Sequence, residues 1–226
     1  MRRLLVPRTR LFSSTPLWWD APFPYSASFG LHVYPDFLAP EEEASLASSC
    51  EALLAPLPYE PGHWDNVIQT YKELQRPIAT LPPPARAALL RAQAAFPPAA
   101  RRLGPPQPFY HALELAEAGH ISAHVDSVKF SGGVVAGVCL LSDAVLVLTP
   151  SGDGEGAGGA APQAPLPPAP GAEVRVLLPR RCLYTMCNAA RYEWAHAIPR
   201  GAPLFRGAPV PRGRRISVML RDEVVV

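Results

Sequence analysis

His124-Val125-Asp126 and the distant His196 are the residues whose types and spacing could hold a metal and do chemistry on it. On a strand, positions two apart face the same side. The imidazole of His124 and the carboxylate of Asp126 are therefore expected to enter one cavity. His196 falls in another predicted strand, Arg191–Ala197. Two histidines and one carboxylate form the facial set of non-haem Fe(II), with open positions for oxygen and a co-substrate. H-x-D alone is a weak signal. The chain has six histidines, and a polar pair at a strand end spells the same letters. His111 and His120 are rivals by type, but His111 belongs to the preceding strand and His120 abuts Gly119 at a turn. Both read as ordinary polar positions.

A second group is Arg215-Ile216-Ser217-Val218-Met219-Leu220-Arg221. Alternation puts Arg215, Ser217, Met219 and Arg221 on one face and the aliphatic residues on the other. A buried guanidinium is costly without an anion. A dicarboxylate is the natural partner, because arginine offers it a fork of donors. Tyr184 can add a hydroxyl. Two arginines on an exposed edge strand would need no such partner, and the pair gains meaning only beside the histidines.

The elements that must position these groups are mostly strands. Gly30–Phe37 reads as a short strand, and Pro40 followed by three glutamates opens a helix. Leu46, Cys50, Leu53, Leu54 and Leu57 continue it with a helical period. The stretch Tyr59–Arg76 is aromatic and polar, with Tyr59, His63, Trp64 and Tyr71. A second, alanine-rich helix is expected over Ala85–Ala95, bracketed by prolines. Short strands follow: Phe109–Ala116, His120–Asp126, Val134–Leu141, Val145–Leu148, Val174–Leu178, Leu183–Met186, Arg191–Ala197 and Arg215–Arg221. Helices first and strands afterwards imply an α+β layout, with the N-terminal helices packed on one sheet of a sandwich or barrel. Residues 150–171 are nearly all Gly, Ala, Pro and Ser and read as a flexible insertion.

Bulk composition narrows the class. The 226 residues suffice for one domain with a real core. A net charge of +2 argues against a histone-like or acid-seeking protein. Four cysteines without a C-x-x-C pair read as reduced, buried thiols, not a zinc ribbon. No apolar run is long enough for a membrane span. The first 20 residues carry four arginines and no acid before Asp20, the composition of a mitochondrial transit peptide. Arg10-Leu11-Phe12-Ser13 places its cleavage after Phe12, and the mature chain in the matrix.

Together, His124, Asp126, His196, Arg215 and Arg221 resemble the pattern of the AlkB family of 2-oxoglutarate dioxygenases: H-x-D, a distal His, then two arginines six residues apart. The runs HVDSVKF, AARYEWAH, PRGRRISV and YEPGHWD look close to a mitochondrial member of that family. The resemblance spans roughly residues 31–223, apart from the insertion. It implies a double-stranded β-helix (jelly-roll) core, with Fe(II), 2-oxoglutarate and O₂ as cofactors. It assigns His124, Asp126 and His196 to the iron, and Arg215 with Tyr184 to the distal carboxylate of 2-oxoglutarate. Arg221 would sit nearer the metal. Leu113 and Leu115 stand where many repair members carry Asn and Tyr, and the region 59–108 does not resemble a DNA-gripping lid.

Duplex DNA is therefore not the expected partner. A monomer oxidising a protein or other mitochondrial substrate is the leading expectation. Oxidative demethylation of RNA such as mitochondrial tRNA is the alternative, with Arg200, Arg206, Arg212 and Arg214 able to track phosphates and Trp64 and Tyr71 able to stack on a base. A cofactor-binding scaffold with little turnover, or a zinc hydrolase on the same ligands, would be a different class. The hydrolase lacks an obvious general base and leaves the arginines unexplained.

Overall fold

A computed structural model describes residues 16–151 and 172–225. In chain order its strands are β1 (Trp19–Asp20), β2 (Leu31–Tyr34), β3 (Glu60–Gly62), β4 (Ile68–Pro77), β5 (Phe109–His124), β6 (Val135–Leu140), β7 (Ala144–Pro150), β8 (Val174–Leu178), β9 (Leu183–Met186), β10 (Trp194–Ile198), β11 (Leu204–Phe205), β12 (Ala208–Pro209) and β13 (Arg215–Arg221). Three α-helices join them: α1 (Pro40–Leu54), α2 (Pro83–Ala94) and α3 (Asn188–Tyr192).

Eleven strands form one curled sheet in the order β1-β8-β7-β10-β5-β13-β6-β9-β2, with the β3–β4 hairpin added beside β5. Its ladders are antiparallel. The sheet folds over on itself because β5 is long, 16 residues, and serves both halves. Its first half pairs with β13, and its last residues pair with β10. This is the jelly roll expected from the sequence. The two strands predicted on either side of Gly119 are one bent strand. A side chain at Gly119 would meet the Thr70 carbonyl at 2.6 Å, so the bend needs a residue without one. Buried Arg212 donates to the carbonyls of Ala116, Glu117 and Gly119 and so pairs the groups that the bend frees from the ladder.

Strand alternation builds two cores. Ile216, Val218 and Leu220 of β13, with Ala136, Val138 and Leu140 of β6, pack against Leu46, Cys50 and Leu54 of α1 and Leu89 of α2. The opposite faces enclose the interior, lined by Leu113, Leu115, Leu146, Leu148, Val176 and Tyr184. Proline at the first turn of each helix and the Glu42 carboxylate, which accepts from the Ala39 N–H at 2.9 Å, set where α1 and α2 begin. Leu53 and Leu57, read as part of the helical period, are exposed: Leu53 lies off the face of α1 formed by Leu46, Cys50 and Leu54, and Leu57 lies beyond the helix end at Leu54.

Several expectations need correction. The Tyr59–Arg76 stretch, to which the sequence assigned no element, is a hairpin. Its alternation is hidden because Tyr71 faces the interior core, Leu74 faces the helical layer, and a bulge separates Gln69 from Tyr71. The strand expected at Arg191–Ala197 starts only at Trp194, since the Ala-Ala-Arg-Tyr run winds into α3. A leader reaching residue 20 is too long. Trp19 is fully buried, β1 pairs with β8, and Trp19 packs edge-on against Phe23, Tyr25 and Phe29. The rest of the leader (1–15), with its cleavage site, and the insertion from 152 to 171 lie outside the described residues. All four cysteines are free and buried, as expected.

Candidate active site

His124 closes β5, and Asp126 follows it in the loop just past the strand end. Pairing of β10 with β5 sets His196 opposite His124, with ring centroids 4.3 Å apart. His124 Nε2 lies 3.6 Å from Asp126 Oδ1, and His196 Nε2 lies 3.9 Å from Oδ2. Ligand atoms of the three residues all fall within 4.8 Å of one another, the spacing of a set around one ion. The His124 Nδ1–H donates to the Ser122 carbonyl at 2.9 Å, which leaves the Nε2 lone pair aimed at its neighbours. Burial pushes His196 down to about 4, so its imidazole is neutral, the form that binds metals. Burial alone would raise the Asp126 carboxyl, but His124, His196 and Arg221 hold it below the usual carboxylate range. Asp126 Oδ2 is buried without a hydrogen-bond partner. An anionic oxygen left like that calls for a cation.

The three residues open onto a narrow cavity of about 70 Å³. Arg215, Ser217, Met219 and Arg221 of β13 all line it, as alternation predicts. Arg215 is 1% exposed, and among the described residues no carboxylate pairs with it. Its guanidinium reaches only Cys139 Sγ and Ser217 Oγ, each at 3.3 Å, and its Nε has no partner. Tyr184 enters from β9, and burial pushes its phenol up to about 12, so it stays a neutral donor. It fits because Gly137 lies beneath it: a side chain there would come within 2.5 Å of the Tyr184 ring. A buried unpaired guanidinium with a phenol beside it suits a carboxylate.

Of the rival histidines, His120 bonds to Arg200 outside the cluster. His111 does line the cavity, paired with Glu73 at 2.9 Å, which the sequence reading missed. Leu113 lines the cavity, while Leu115 is buried in the core beside it. Sequence reasoning also overlooked Arg191, although it sits in the AARYEWAH run; nothing in its spacing announced a role.

No family model matches the chain. Relatives that match most of the chain are decisive. "Alpha-ketoglutarate-dependent dioxygenase alkB homolog 7, mitochondrial" of Bos taurus is 35% identical over 194 residues, 84% of this chain and 77% of that protein. Its Mus musculus counterpart is 36% identical over 191 residues, with the same coverage. The chain belongs to the alkB homolog 7 family of 2-oxoglutarate-dependent dioxygenases. Members of this family are Fe(II)-, 2-oxoglutarate- and O₂-dependent enzymes, and the donor set described above fits those cofactors. The dioxygenase shares its fold with OsALKBH1 (TM-score 0.52, 15% identity, 85% of this chain and 98% of that one). A prolyl hydroxylase in complex with a hypoxia inducible factor oxygen degradation domain peptide fragment, from Trichoplax adhaerens, also shares it (TM-score 0.52, 10% identity, 86% and 84%). No helix of the described residues is long and apolar enough to cross a membrane.

Proposed function

We propose that His124, Asp126 and His196 hold Fe(II), that Arg215 and Tyr184 hold the distal carboxylate of 2-oxoglutarate, and that Arg221 flanks its metal-binding end. The observation that carries this is a pair of orphans in one cavity. Asp126 Oδ2 lacks a cation, and the Arg215 guanidinium lacks an anion. When bound, iron couples O₂ reduction to decarboxylation of 2-oxoglutarate, giving succinate, CO₂ and a hydroxylated C–H bond. The chain's own part is placement and dryness. Arg215 orients the co-substrate along β13, and Ile68, Ile121, Leu146 and Ile198 wall the cavity against water.

The substrate we infer is a protein, met by a monomeric enzyme in mitochondria, within the matrix. The relatives' mitochondrial designation and the arginine-rich leader support the location. Exposed apolar side chains near the metal-binding residues support a polypeptide. Val128 and Phe130 follow Asp126 in the chain, and Trp64 adjoins Asp65, whose charge acts on His124. Three of the four arginines that would have tracked RNA are engaged elsewhere. Arg212 is buried on backbone carbonyls, Arg206 binds the Trp19 carbonyl, and Arg214 pairs with Glu51 and Glu114.

The test is succinate formation by the purified chain with Fe(II), ascorbate and 2-oxoglutarate, against a His124→Ala control. Nuclease-treated mitochondrial protein is expected to raise it. A rise with mitochondrial RNA alone would overturn the protein reading, and failure to bind 2-oxoglutarate would sink the cofactor assignment.

A further inference from the structure

Arg191 is 2% exposed, yet it faces no carboxylate oxygen within hydrogen-bonding distance among the described residues. Its guanidinium instead meets three main-chain oxygens of the loop that carries Asp126. Nη1 donates to the Asp126 carbonyl at 2.8 Å, and Nη2 reaches the carbonyls of Ser127 and Ser131, each at 3.4 Å. Its cation lies over the Tyr192 ring, 5.0 Å from the centroid, and the Tyr192 hydroxyl donates to the Gly132 carbonyl at 3.3 Å. Two adjacent side chains of α3 thus grip one short loop.

The position of α3 gives that grip its meaning. The helix ends two residues before β10, which carries His196. Asp126 has no ladder to hold it, because β5 stops at His124. Its backbone is free to swing unless something outside the sheet fixes it. A buried arginine is an expensive way to satisfy carbonyls, since desolvation of the cation opposes it. A neutral donor would satisfy one of them more cheaply. The planar fork can span several acceptors at fixed angles, which a single amine cannot.

We propose that Arg191 is a positioning residue that locks the Asp126 loop to the His196 strand, so that carboxylate and distal imidazole keep one spacing. This rests on the three-residue metal reading above. Residues that orient metal ligands from behind typically contribute about 10–100-fold in metal affinity.

Co(II) serves as the probe, titrated into the full chain by calorimetry and by its visible absorption spectrum, with no 2-oxoglutarate and no turnover. Arg191→Gln is expected to lower Co(II) affinity about tenfold or more and to alter the ligand-field bands. Circular dichroism of the metal-free variant should stay native. Arg191→Lys keeps the charge but not the fork, and is expected to recover only part of the affinity. If Arg191→Gln does not fold, the lysine variant alone decides, by the same loss and band change. Parental affinity and spectrum in a folded variant would overturn the inference while leaving the metal site standing. A parent with no cobalt site sensitive to His124→Ala would overturn the metal reading, and the role of Arg191 with it.

Discussion

His196 stands opposite His124 in the β5–β10 ladder, and the same pairing slips by a bulge before Ile198 meets Ile121. The two rings therefore meet over Asp126 only in this register. A one-residue slip would turn His196 to the other face of its strand. On the proposed metal site, we expect His124→Ala, Asp126→Asn and His196→Ala each to lower Mn(II) affinity by well over tenfold, since each would alter one proposed ligand of three. Double variants should lose little more than single ones. Calorimetric titration of the metal checks this, and additive losses would argue against a shared ion.

Gly137 decides where Tyr184 lies. A methyl group placed on it would come within 2.5 Å of the phenol ring. Overpacking of this kind usually costs about 1–3 kcal/mol, taken up here by moving the ring. Gly137→Ala is expected to raise the Kd for 2-oxoglutarate several-fold while metal affinity holds. Equal effects on both ligands would contradict a local role.

Arg212 is a structural residue, not a phosphate ligand. Its guanidinium serves three carbonyls at the bend of β5. Hydrogen bonds to a charged donor contribute roughly 1.5–3 kcal/mol each and are not additive, so Arg212→Ala should cost about 3 kcal/mol of folding stability. Denaturant unfolding measures it. The salt dependence of RNA binding should not change beyond the loss of folded protein.

Asp222 is a second clamp on the loop after Asp126. Fully buried, it accepts from the N–H groups of Gly104, Gly133 and Val134 at 2.7, 2.9 and 2.8 Å. Asp222→Ala leaves these donors unpaired and should destabilise by at least about 3 kcal/mol. Asp222→Asn keeps the shape but turns an amide NH2, itself a donor, toward N–H donors, and should cost an intermediate amount.

Glu73 supplies a pH signature. The His111 hydrogen bond, against an opposing effect of burial, holds its carboxyl below the ordinary value of 4.5. A carboxylate with a depressed folded pKa stabilises above its unfolded pKa, and that contribution fades as pH falls through the folded value. The Tm difference between the parent and Glu73→Gln should be fully present above the ordinary value of 4.5 and shrink as pH falls through the lower folded value. A difference that grows on acidification would refute the pairing.

The sequence by itself determined which residues are candidates for the chemistry, and the facing of side chains. His124, Asp126 and His196 could be singled out as a group only with the two inward arginines beside them, because H-x-D alone is a weak signal, and the structure brings the three together. The face carrying Arg215, Ser217, Met219 and Arg221 followed from period two, since β13 is buried on one side by helices and on the other by the cavity. The jelly roll was legible as helices followed by short strands and through family resemblance. Only the tertiary structure decided what depends on contacts between distant segments. The β3–β4 hairpin was invisible because the buried Tyr71 and Leu74 of β4 lie on opposite faces and a bulge breaks its period. Trp19 looked like part of a leader because nothing local reveals the aromatic cluster that receives it. The arginines of the 200–214 loop looked alike in sequence, yet Arg212 is buried on main-chain carbonyls while Arg200 stays at the surface. Charge is a local property of the chain. Whether it faces water, a backbone oxygen or a co-substrate is settled by the strands that fold around it.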